Sequence, residues 1–225
     1  MHRQQSEASS YYDVVSILNR RGFRAPRQVP QALHAAGDCC YALRPPRLGD
    51  FSTWRDARIT HAPLLAPAFG SSASQWSVDS TPEAFLQALW RSRAAARAAR
   101  GLPGIVTELH PGGERVVGEF SVCAVDPVTA TGELSVWSVA SPASLVPWAA
   151  STVVLAGFEL LGLNRVIAPV ALANRGPLRA LGRMEWVHAA NRLALREYQG
   201  VPHEHGVWVL ENTPEVCRRL EGLAG

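Results

Sequence analysis

At 225 residues and 47% hydrophobic content, the chain is long enough for one sizeable domain with extensions and has the composition of a globular protein. Its 22 Lys and Arg against 19 Asp and Glu leave a formal charge of +3, too mild to name a nucleic acid or a membrane surface as partner. The cysteines Cys39, Cys40, Cys123 and Cys217 form no C-x-x-C pair and have no histidine at ligand spacing, which supports neither a zinc site nor a disulfide framework and fits a reducing cytosol. The opening "MHRQQSEASS" lacks the apolar core of a signal peptide, so the expectation is a cytoplasmic protein.

In chain order, residues 1–38 read as a disordered tail over about the first ten positions, followed by a loosely packed lead-in; 39–213 read as the domain and 214–225 as a short terminal helix. Cys40 to Pro45 reads as a first strand, and Asp50 is placed to cap a helix through "FSTWRDARI". "THAPLLAPAFGSSASQWSVDS", rich in Pro, Ser and Gly, predicts loop or short helical turns. Ser80 with Glu83 fits a capping box, Pro82 suits a first turn and Gly101 an ending, so 81–100 predicts a helix. Its Arg91, Arg93, Arg97 and Arg100 alternate with alanine and read as a solvated face.

"GIVTEL", "ERVVGEFSVCAV" and "ELSVWSV", separated by turns carrying Gly, Pro and Asp, predict a three-strand meander. A helix over 147–161, a strand over 164–171, a helix from Gly176 to Met184, a strand pair ending at "EHGVWVLE" and a helix from Pro214 follow. From Leu134 to Leu163 the only charge is Glu159, but Pro142, Pro147 and the alternation around Trp137 and Val139 argue against a membrane span. His203 and His205 share one face of a strand, yet no third ligand is visible, so no metal is expected.

Strand, helix, helix, meander, helix, strand, helix and two strands resemble the GNAT acetyltransferase fold, an α/β (α+β) architecture with a mixed sheet. The stretches "YALRPPRLGDFSTWRDAR", "GEFSVCAV", "GELSVWSV", "GFELLGLNRVIAPVALANRGPLRAL" and "HEHGVWVLE" resemble successive landmarks of the RimJ/RimL branch, over about Tyr41 to Glu211. That branch comprises enzymes that acetylate the α-amino group of ribosomal proteins and related amines. The resemblance implies acetyl-CoA as cofactor and a protein acceptor or partner, and with the mild charge no nucleic acid is expected.

It further implies that the strands "ELSVWSV" and "RVIAPVA" run parallel and splay apart, so that Trp137 and Val139 lie on the strand facing the cofactor. The pyrophosphate would meet the helix beginning near Pro147, with Trp148 in its first turn, and Asn174 would meet the pantetheine end. Glu119 and Glu133 are the candidate general bases, and Tyr198 the candidate proton donor to the departing thiolate.

Three features depart from the pattern. Relatives carry Arg or Gln, x, x, Gly, x, Gly or Ala before that helix, where this chain has "ASPASLVPWA", about two residues shorter and without glycine. Pro177 stands in place of a serine, with Glu185 and Trp186 in place of Gly-Phe; Ala68 stands where a Trp commonly shapes the acceptor pocket. The expectation is therefore an N-acetyltransferase of RimJ type with weakened acetyl-CoA binding. The alternative is a pseudoenzyme of that fold serving as an interaction or structural module.

Overall fold

The computed structural model describes residues 27–140, 142–184, 187–198 and 201–225. The tail and "YYDVVSILNRRGF" lie outside the described residues, as do Glu185 and Trp186.

Residues expected to form part of the lead-in carry an edge strand: Ala32–Ala36 (β1) pairs antiparallel with Cys39–Arg44 (β2) across a tight turn at Gly37 and Asp38. Its side chains alternate between half-buried and exposed, but alanine-rich strands give a weak β signal in sequence. Phe51–Thr60 (α1) follows, and Asp50 does not cap it. Arg44 is only 3% exposed and needs a counter-charge, so Asp50 turns onto its guanidinium at 2.6 and 3.0 Å.

The next stretch forms short pieces as expected: Ala62–Leu65 (α2), a 3-10 turn at Ala66–Phe69, and Ala73–Val78 (α3). Pro82–Arg97 (α4) is capped by Thr81, whose hydroxyl accepts from the Ala84 amide at 3.2 Å, not by Ser80. Ser80 is buried and donates to the Trp76 carbonyl instead. Ala99, with φ of 55°, takes the left-handed position beyond this helix that Gly101 was expected to provide.

Leu102–His110 (β3), Gly113–Asp126 (β4) and Thr131–Ser138 (β5) form the meander. Leu145–Leu161 (α5) ends at Gly162, whose φ of 65° stops the helix in the left-handed region. Arg165–Ala171 (β6), Arg175–Leu181 (α6), His188–Tyr198 (β7), Val201–Glu211 (β8) and Pro214–Ala224 (α7) complete the chain.

Among the described residues the sheet has eight strands in the order β1-β2-β3-β4-β5-β6-β8-β7, and only β5 with β6 is parallel. Helices α5 and α7 cover one face, with Phe120, Trp148 and Val153 in that core. Helices α1 to α4 cover the other, around Trp54, Trp76, Phe85 and Trp137. Ile105 and Val106, neighbours in β3, fall into different cores, as strand alternation demands. The long apolar run of α5 is accounted for by burial of ten of its residues, and no described helix is long and apolar enough to cross a membrane.

Candidate functional site

The parallel pairing of β5 with β6 lasts only from Thr131↔Arg165 to Glu133↔Ile167. Beyond it the strands diverge, so that Leu134 to Val136 and Ala168 to Ala171 face each other across a gap without ladder bonds. The gap opens into a cleft of about 550 Å³, closed by the first turns of α5, by α6 and by Leu220 and Leu223 of α7. Ala68 and Phe69 of the 3-10 turn also line it, so the position expected to carry a Trp leaves room.

Of the sequence candidates, the cleft gathers Glu133 and Asn174. Glu133 sits where the strands part and forms an ion pair with Arg196 of β7. Asn174 lies at the entry to α6, its amide donating to the Ala171 carbonyl at 2.8 Å, and the departure Pro177 lines the same wall.

Glu119 is held elsewhere. It opposes Trp137 in the ladder, so it faces the same side of the sheet as Glu133, but four strand positions separate Trp137 from Glu133, about 13 Å. Its carboxylate accepts from the indole N–H of Trp54 at 3.0 Å and from that of Trp137. Trp137 is thereby fixed in the core of the α1 to α4 face, and Val139 continues the edge of the meander, its amide donating to the Val117 carbonyl at 2.8 Å. Gly118 permits this approach, since a Cβ there would stand 2.6 Å from the Trp137 carbonyl oxygen.

Trp148 does not face the cleft. It is 1% exposed and stacks on His34 of β1 with ring centroids 4.9 Å apart, because α5 turns that face toward the core. Tyr198 ends β7, paired with Val201, and its side chain lies outside the described residues. Among the described residues no group of three or more His, Cys, Asp and Glu could hold a metal; the Nδ1 of His205 lies 3.0 Å from the His203 carbonyl.

At the start of α5, the Leu145 amide donates to the Pro142 carbonyl at 3.1 Å and the Trp148 amide to the Ser144 carbonyl at 3.0 Å. Pro147 has no N–H. Among the described residues this leaves the Val146 amide without a bond in the first turn, and Val146 lines the cleft at 40% exposure. Sequence reasoning missed Arg196, since no local signal brings β7, with β6 and β8 between it and β5 in the sheet, to Glu133.

A mixed sheet whose single parallel pair splays over a crossover helix decides the architecture. The chain has the GNAT fold. RimJ of Mycobacterium smegmatis, solved with CoA-disulfide, is similar to it at 22% identity and a TM-score of 0.65, over 86% of this chain and 92% of that one. The ribosomal-protein-S5-alanine acetyltransferase of Vibrio fischeri matches this GNAT fold at 14% identity and a TM-score of 0.65, over 81% and 98%. The spermidine N-acetyltransferase of Vibrio cholerae, solved with CoA and spermine, does so at 10% identity and 0.58, over 76% and 95%. No protein-family model matches the chain, and no curated protein does.

Proposed function

We propose that the protein is an acetyl-CoA-dependent N-acetyltransferase of RimJ type, acting on an amine such as a protein α-amino group. The observation that carries this reading is the splay of β5 from β6, which leaves backbone donors and acceptors unpaired along a cleft of about 550 Å³. Such edges suit the amide-bearing pantetheine arm, and Asn174 stands beside them. The fit at the pyrophosphate is narrower, since among the described residues α5 offers one open first-turn amide, that of Val146, where an N-terminal anion site ordinarily uses several. The solved neighbours that hold CoA support the same choice of cofactor.

When bound, acetyl-CoA supplies an acetyl carbon activated as a thioester. Glu133, at the apex of the splay, would take a proton from the incoming ammonium, so that the neutral amine attacks the thioester carbonyl. Arg196 fixes that carboxylate in place. Backbone amides of β5 beyond Glu133 are available to donate to the oxygen on which negative charge develops. Glu119, occupied by two indole N–H groups, serves to tie α1 to the sheet.

A second reading, a fold that has lost its cofactor, draws on the same first turn of α5, with Pro147 and the engaged Leu145 amide. The deciving assay between the two is thiol release from acetyl-CoA in the presence of N-terminal peptides or small amines. Turnover is expected, falling about 10²- to 10⁴-fold in Glu133→Gln with cofactor affinity retained. Absence of turnover with every amine, together with absence of acetyl-CoA binding, favours the second reading.

A further inference from the structure

A second cavity, of about 630 Å³, lies apart from the cleft and is lined by Arg27, Arg47, Arg93 and Arg97 together with Gln28, Gln31 and proline walls. It stands toward the other end of α5: Arg27 donates to the carbonyl of Leu160, in the last turn, whereas the cleft lies at the first turns, and 17 residues of helix span about 25 Å. Among the described residues no carboxylate lines it.

Three of the four guanidinium groups have no carboxylate partner among the described residues. Arg47 reaches Glu114 at 3.8 Å, a carboxylate it shares with Arg44, whose other partner is Asp50. Arg27 meets a neutral carbonyl. Arg93 and Arg97 form no ion pair among the described residues. The solvated face expected of α4 thus includes two cations that converge with two others on one cavity.

The same helix carries an exposed ring. Leu86, Trp90, Arg93 and Arg97 follow spacings of four, three and four, one face of α4, and Trp90 is 61% exposed. An aromatic platform one turn from clustered guanidinium groups matches a base beside its phosphates.

We infer that this cavity binds phosphate-bearing ligands of the nucleotide type, with the phosphates against the four arginines and the base on Trp90. Phosphates are favoured over acidic side chains because, although a guanidinium fork takes either group bidentately, linked phosphates concentrate several charges in one cavity. Carboxylates of a peptide are spread along an extended backbone. The inference does not depend on the acetyltransferase reading.

The test is calorimetric titration of the intact chain with inorganic tripolyphosphate, ATP and an oligouridylate, at two salt concentrations. Binding of tripolyphosphate and ATP is expected, and the Arg93→Gln, Arg97→Gln double variant should weaken it about tenfold or more, with a lower salt slope and an unchanged melting temperature. Trp90→Ala should weaken ATP and the oligonucleotide while leaving tripolyphosphate unaffected. Tighter binding of the oligonucleotide than of ATP assigns a nucleic-acid backbone as the source, and the reverse assigns a free nucleotide. Failure of all three ligands to bind, wild-type affinity in the double variant, or equal displacement of tripolyphosphate by a polyglutamate peptide overturns the inference.

Discussion

Glu133 and Cys123 face each other across the ladder of β4 and β5, and the carboxylate alters the thiol's chemistry. Burial, with the Glu133 carboxylate adding to it, pushes the Cys123 thiol up to about 11 from an ordinary 9.0. A folded-state value above the unfolded one contributes stability below about pH 9 that is lost as pH rises through about 11, on the order of 2 kcal/mol. Alkaline melts should therefore show the native chain losing more stability over that window than Cys123→Ala; parallel curves would contradict the placement. At this scale Glu133 was named for its place at the start of the strand β5 and Asn174 from the resemblance, and both line the cleft. Arg196 was not legible, because its nearness to Glu133 depends on where β7 is carried by the sheet. Trp148 was assigned to the cofactor because it stands in the first turn below the expected phosphate site, and α5, apolar on nearly every side, does not announce which face meets the core.

Short elements on the α1 side are organised by ions that a local reading assigns to caps. Asp50 accepts from Arg44 and from the Arg47 amide, and so joins the end of β2 to the start of α1. Removing it leaves Arg44, 3% exposed, with Glu114 as its remaining carboxylate. Asp50→Ala is expected to cost on the order of 3 kcal/mol in chemical denaturation, whereas loss of an ordinary cap costs about 1 kcal/mol. A loss near the smaller figure would return Asp50 to a capping role. The meander and α5 were legible because their turns and apolar runs are strong local signals; β1 was not, since its pairing with β2 and the burial of nearby Val29 are tertiary. In the first turn of α5, Pro147 has no N–H and the Leu145 to Pro142 bond consumes a second donor.

At the scale of the whole molecule, strand order along β1 to β5 follows sequence order, which makes the first part of the sheet readable from turns alone. The position of β8 between β6 and β7 is a long-range outcome that no local pattern specifies. The same topology creates the cleft, because β6 arrives parallel to β5 over three residue pairs and then follows β8 away from it. The central claim is that this opening holds acetyl-CoA. Calorimetric titration of the intact chain with acetyl-CoA tests it most directly, with Ala150→Trp, which fills the cleft wall, as a control whose folding is checked by its melt. The account predicts saturable binding tighter than about 1 mM, equivalent to about −4 kcal/mol, and its loss in the filled variant. No heat and no thermal stabilisation at millimolar acetyl-CoA, or binding unchanged by Ala150→Trp, would contradict it.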